Sequence, residues 1–130
     1  MTRTKLRLML LLAAALGCSK TDTQLTAGGQ PVSHWLEELK KSEPKARKKA
    51  VKELGHVGKS DPTAIPAVIA ALKDADSGVR TEAALALLNL GPDAADAADA
   101  LVDATRDRDP KVRDIATKAL ERITGGAPDR

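Results

Sequence analysis

The chain has 130 residues and is poor in several residue types, each of which rules something out. It contains no phenylalanine, no tyrosine and one tryptophan. Phenylalanine and tyrosine platforms for stacking nucleobases are therefore missing, and aromatic residues that enrich strands are all but missing. Cysteine occurs once, at Cys18, so no disulfide can form within the chain. There are two histidines, His34 and His56, too few and too far apart in sequence for a local metal site. Neither a phosphate-binding glycine loop nor a nucleophile elbow appears. Long apolar runs are absent too: the longest is the nine residues 8–16, far short of the ~20 that span a bilayer as a helix.

Charge of one sign is also scarce once its location is considered. The formal net charge is +3, and Arg3, Lys5 and Arg7 supply all of it. Beyond residue 17 the count is 18 basic against 18 acidic. Residues 18–59 carry 9 basic and 5 acidic side chains, and residues 60–130 carry 9 and 13. This is an internal asymmetry, and it gives no general affinity for nucleic acid.

Leucine and alanine make up most of the apolar fraction, a mixture that favours helices. They recur at a fixed interval. Arg47, Arg80 and Arg113 stand 33 residues apart, and Ala50, Ala83, Ala116 and Leu54, Leu87, Leu120 keep the same interval with no gap. Proline and capping acids punctuate the repeat. Asp61-Pro62 and Asp109-Pro110 pair a cap with a residue suited to the first helical turn, and Asp76-Ser77 caps without proline. Gly58, Gly91 and Gly125 follow the last apolar position of each second helix, where a left-handed residue commonly ends one. These signals predict helices over 32–41, 44–57, 62–73, 77–90, 92–106 and 110–124, with Pro66 near the start of the third.

In the second helix of each pair the apolar residues form one stripe: Ala46, Ala50, Leu54, Val57, then Val79, Ala83, Leu87, Leu90, then Val112, Ala116, Leu120, Ile123. The first helices carry Val32, Trp35, Leu36, Leu39, then Ile65, Val68, Ile69, Leu72, and more weakly Ala98, Leu101, Val102. No pair can bury these faces alone, so neighbours must stack, and three pairs is about the minimum for a stable stack. The fold class expected is all-α, a short right-handed α-solenoid of three helix pairs with a 33-residue repeat.

The first residues read as an address. The basic Arg3, Lys5 and Arg7 precede the short apolar run, which ends in Ala15-Leu16-Gly17-Cys18. This resembles the lipobox of bacterial lipoproteins, with alanine where leucine is commoner. The resemblance implies lipidation of Cys18 as a new N-terminus and attachment to a membrane of the cell envelope. Ser19 after the cysteine further implies the outer membrane, facing the periplasm. The expected organisation is a signal peptide over 1–17, a polar, glycine-containing tether over 18–30 with a reach of about 20 Å, and a repeat domain over 31–130.

The domain resembles the HEAT-repeat superfamily, in particular the short HEAT-like repeats also found in phycobilisome lyases. The residues that carry the resemblance are Ile65-Pro66-Ala67-Val68-Ile69-Ala70-Ala71-Leu72-Lys73-Asp74 followed by Asp76-Ser77-Gly78-Val79-Arg80, and the third copy from Arg106 to Ala116. In such repeats an acid after the first helix and the arginine of the second form an inter-repeat ladder, which here implies Asp74 with Arg80 and Asp107 with Arg113. Lys41 stands where the first copy should have its acid, leaving Arg47 to find another partner in Asp74 or Glu43. Neither histidine is followed by glutamate, so the His-Glu pairs of HEAT-built iron hydroxylases are missing.

Binding is the function expected, with no enzymatic activity and no cofactor. A HEAT-like stack is implied to line its concave side with second helices. On those, Lys45, Lys48, Lys49, Lys52 and His56 point away from the stripe in the first copy, with Gly78, Thr81, Glu82, Leu85 and Asn89 in the second and Lys111, Asp114, Ile115, Lys118 and Arg122 in the third. An acidic protein segment or anionic envelope component would dock there around an exposed Leu85. Asp93, Asp96, Asp99 and Asp103 read as a solvated face and not as a calcium site, since a regular helix lacks convergent loop geometry. Two other roles stay open: an accessory to lyase-like enzymes, and a purely structural envelope protein.

Overall fold

A computed structural model of the chain describes residues 26–126. The leader, Cys18 and the tether as far as residue 25 lie outside the described residues. The chain enters through a small antiparallel hairpin, β1 (Thr26–Ala27) and β2 (Gln30–Pro31), with Thr26 opposite Pro31 and Ala27 opposite Gln30. Gly28 and Gly29 form the two-residue turn at φ 54° and 77°, a conformation that costs glycine nothing and matches strand twist. The sequence reading predicts irregular chain through Gln30. The correction has a simple cause: Gly-Gly between two short flanks is a hairpin signal.

Three helix pairs follow. The first is α1 (Val32–Glu38) and α2 (Pro44–Val57). The second is α3 (Ile65–Ala70), flanked by 3-10 turns at Pro62–Ala64 and Ala71–Lys73, and α4 (Ser77–Leu90). The third is a 3-10 segment Gly91–Ala97 running into α5 (Ala98–Ala104), then α6 (Pro110–Thr124). All three second helices begin and end where the sequence predicts. Asp76 accepts from the Val79 N–H at 3.0 Å, and Asp109 accepts from the N–H groups of Lys111 (2.8 Å) and Val112 (3.4 Å). These are ordinary N-caps.

The first helices are shorter than expected and partly 3-10. In the second pair, the N–H of Ile65 bonds the carbonyl of Pro62. Pro66 has no N–H with which to continue that carbonyl's α-helical ladder, so the turn tightens. In the third pair Ala94 leaves helical geometry (φ −104°, ψ 33°). Asp93 and Asp96 consequently lie on an irregular segment and only Asp99 and Asp103 on a regular helix, with all four exposed. Not every second helix ends in a left-handed glycine either: Gly125 does (φ 79°), but Gly58 stays right-handed at φ −56°. A side chain at Gly58 would instead press on the end of the Leu90 side chain at 3.0 Å, so the packing there is close.

The core runs the length of the stack. Leu54, Leu87, Leu101, Val51, Val68, Val79 and Val112 are its largest fully buried side chains. The largest interfaces are those of α4 with α2 and with α6, so α4 is covered on both flanks, and α2 and α6 each on the flank that faces it, as well as on the inner stripe. Two residues expected to face outward are buried for this reason, Thr81 at 8% exposure and Ile115 at 7%. Leu85 is half-buried against the core and is not the exposed anchor expected. Val102 departs the other way. It was placed in a buried stripe and is 41% exposed, because no further pair covers it among the described residues.

α2 and α4 approach closely at Gly55, where an added Cβ would lie 2.6 Å from the Cβ of Ala86. Neither atom can rotate away. Gly55→Ala gains ~1 kcal/mol in helix propensity, yet overpacking costs ~1–3 kcal/mol. With both atoms rigid, the melting temperature is expected to fall. Adding Ala86→Gly should return it close to the parent value, and simple additivity of the two changes in denaturant melts would refute this packing.

Candidate functional site

The recurring arginines form a polar ladder inside the stack. Arg80 is 5% exposed, and burial of a guanidinium is tolerable only if its donors are matched. Its Nε and Nη2 donate to the Oδ2 and Oδ1 atoms of Asp107 at 2.9 and 3.1 Å, and its Nη1 donates to the carbonyls of Asp74 and Ala75 at 2.8 and 3.1 Å. Arg47 does the same one repeat earlier. Its Nε and Nη2 reach Asp74 at 2.8 and 2.9 Å, and its Nη1 reaches the carbonyls of Lys41 and Ser42 at 2.9 and 2.7 Å. Each carboxylate is completed from within its own loop, Asp74 by the N–H of Asp76 and Asp107 by the N–H of Asp109.

This corrects the pairing implied by the resemblance. Asp74 belongs with Arg47 and Asp107 with Arg80, so these two arginines each take the acid of the next repeat and only carbonyl oxygens from their own loop. The stagger follows from reach. The loop between paired helices closes around the arginine's Nη1 edge, turning the Nε–Nη2 edge toward the following loop, where the bidentate geometry of guanidinium and carboxylate is satisfied. Of the two acids that the sequence offers Arg47, Asp74 is the partner. Lys41, at the acid's place in the first copy, contributes its carbonyl to Arg47 while its ammonium lies 2.6 Å from Glu38.

The ladder shifts proton affinities. Burial pushes the carboxyl of Asp74 up, but the Arg47 hydrogen bond, the Asp76 N–H and the charges of Arg47 and Arg80 outweigh it and hold the group below its ordinary value. Asp107 is likewise lowered, with burial opposed by the Arg80 hydrogen bond, the Asp109 N–H and the charges of Arg80 and Arg108. The Arg47 guanidinium is raised, chiefly by the Asp74 hydrogen bond.

The outward rows are less uniform than expected. Lys45, Lys48 and Lys52 are exposed on α2, and none of them is in an ion pair among the described residues. Lys49 instead lies over the ring of Trp35 at 5.5 Å, a cation–π contact made to a side chain that is itself buried. The imidazole of His56 is 3.8 Å from Glu53, and Lys118 bonds Asp114 at 2.8 Å. Asn89 and Arg122 are exposed, and the Arg122 side chain passes across Gly91. The structure thus brings together a compact triad, Lys45, Lys48 and Lys52, on one helix, and does not extend it through Leu85 to Lys118.

A family model for HEAT repeats matches residues 32–124. The chain belongs to the HEAT-repeat family, whose members commonly mediate protein–protein interaction. No curated protein matches the sequence significantly.

Two outcomes follow from the ladder. The side chains of Arg80 and Asp107 are 6% and 11% exposed, whereas Arg47 and Asp74 are each 15% exposed. Asp107→Ala strands the more deeply buried cation and should cost ~3–5 kcal/mol. Asp74→Ala should cost less, and the reverse order in denaturant melts would contradict the assignment. The acid response has a fixed sign. Both carboxyls titrate lower folded than unfolded, where aspartate lies near ~3.9. Their contribution is complete above that value and is lost as pH falls through the lowered folded values. Stability should be level above about pH 5 and decline below about pH 4, less steeply in Asp107→Asn.

Proposed function

We propose that this chain is an exported lipoprotein whose HEAT stack serves as a binding module beside a bacterial membrane, with Cys18 carrying the lipid. The observation that carries the binding part is the row Lys45, Lys48 and Lys52. These cations project from a rigid helix whose opposite face is buried, while the cations of the stack interior are consumed by the ladder. A row of unneutralised ammonium groups recognises an anionic surface, and positive potential steers such a partner to it. The partner class is an acidic protein segment or an anionic envelope component, with no nucleic acid and no catalytic role for the chain.

The anchor reading rests on the basic start, the nine-residue apolar run and its end at Cys18. Two or more acyl chains hold a protein on a membrane essentially permanently, and the outer membrane, periplasmic side, is the proposed location. No helix among the described residues is long and apolar enough to cross a membrane. Kinship with phycobilin lyases would appear as dependence of some cofactor on this protein, and a purely structural role as indifference to surface substitution.

The two parts are tested separately. Residues 19–130 are used to recover partners from envelope extract, beside a variant with Lys45, Lys48 and Lys52 reversed to Glu and another with Asp96 and Asp99 reversed to Lys. Capture should be lost only in the lysine variant, with melting temperature nearly unchanged. Capture that depends on the aspartates instead would place the interface on the other face. In cells, Cys18→Ser should abolish fatty-acid labelling and release the protein from membranes, and unchanged labelling would exclude the anchor.

A further inference from the structure

We propose that the C-terminal end of the stack is a docking surface for a helix pair of another protein, one that carries a carboxylate in the register of Asp107. Two separate observations point to it. The first is Arg113, the third member of the arginine series. Its Nη1 donates to the carbonyls of Asp107 and Arg108 at 2.8 and 3.2 Å, the same anchorage that orients Arg47 and Arg80. In those two residues the Nε–Nη2 edge then grips the acid of the next repeat. In Arg113 that edge meets no carboxylate among the described residues, and the residue is exposed. The fork is already held in the pose of a ladder rung, so a carboxylate arriving there loses little in ordering it.

The second observation is apolar. A groove of about 360 Å³ runs between α5 and α6, lined by Ala98, Val102, Thr117, Leu120, Glu121, Thr124 and Gly126. One repeat earlier, the places of Ala98, Val102, Thr117 and Leu120 are taken by Ile65, Ile69, Ala84 and Leu87. Of these, Ile65, Ala84 and Leu87 are buried and Ile69 is partly so. Two repeats earlier the places of Thr117 and Leu120 are Val51 and Leu54, both fully buried. At the end of the stack Val102 is 41% exposed and Leu120 only partly covered. Thr117 and Glu121 soften the rim without closing the groove.

Charge selects the occupant. A second copy added head to tail would offer its own first loop, where Lys41 occupies the acid's place, and like charges would meet at Arg113. The first pair is also covered by the hairpin, since β1 packs on α2. Among the described residues the first pair is covered by the hairpin and the third pair is left uncovered, and that uncovered face asks for an acid and an apolar side chain together. This surface is separate from the lysine row and does not depend on it.

The probe is a fluorescein-labelled peptide of residues 92–126, which carries Asp107 and is the segment that covers the equivalent positions inside the chain. Its anisotropy is followed on titration with the full chain. Saturable binding is expected. Arg113→Ala in the chain, or Asp107→Asn in the peptide, should each weaken it at least tenfold, and the two together no further. Arg113→Lys should also weaken it, since an ammonium cannot grip both oxygens, and so should Val102→Asp. Reversing Lys45, Lys48 and Lys52 should leave it unchanged, which separates this surface from the lysine row. Melting curves matching the parent confirm that the variants fold. Absence of saturable binding overturns the proposal. So does binding indifferent to Arg113→Ala, which would mean that the peptide has displaced its counterpart at Arg80. Sedimentation showing the full chain self-associating through Arg113 would put a second copy on this face and overturn it as well.

Discussion

A guanidinium buried to 5% exposure between two loops is the constraint on which the stack depends. Arg80 cannot be left in that position without an acceptor for each edge, because an unmatched buried cation costs several kcal/mol. One edge is met by carbonyls of its own loop and the other by Asp107, 27 residues on. Hydrophobic burial alone would let adjacent helix pairs slide, since alanine and leucine stripes are tolerant of small shifts. The bidentate contact is not tolerant. It sets the spacing between the Asp74 and Asp107 loops, and the apolar contacts, including the approach of Gly55 to Ala86, are made at that spacing.

The arrangement separates two uses of charge. Inside, arginine and aspartate neutralise one another across each junction and are spent on structure. Outside, Lys45, Lys48 and Lys52 have no such partner among the described residues, and the acids of the 3-10 segment before α5 lie exposed. The asymmetry between the two halves of the chain thereby becomes spatial, basic on the first second helix and acidic on the last first helix. A module built this way can offer charge to a partner without weakening its own interior.

Much of this was legible in the residues. The 33-residue interval, the capping acids and the stripes of α2, α4 and α6 predicted those helices to their ends, because caps and apolar spacing act locally and agree with each other. The first helices were less legible. Pro66 and the alanine-rich stretch after Pro92 permit 3-10 geometry, and only packing decides between the two forms. Thr81 and Ile115 were assigned outward because a helical wheel marks the inner stripe and not the flanks that neighbouring second helices cover. The ladder's members were visible from their recurrence, but its stagger was not: spacing cannot say which edge of an arginine faces which loop. The hairpin at Thr26–Pro31 leaves one signal, the Gly28-Gly29 pair, which a flexible tether would equally contain.

The central claim is that Arg47 and Arg80 are each bound to the acid of the following repeat. It is tested most directly by NMR of the arginine Nε–H groups, comparing the parent with Asp74→Asn and Asp107→Asn. The Arg80 Nε–H should be shifted and slow to exchange in the parent, should lose both properties in Asp107→Asn, and should keep them in Asp74→Asn. The Arg47 Nε–H should respond to Asp74→Asn alone. An Arg80 signal that responds to Asp74→Asn and ignores Asp107→Asn would mean that each arginine pairs within its own repeat, and the account of the stack would be wrong.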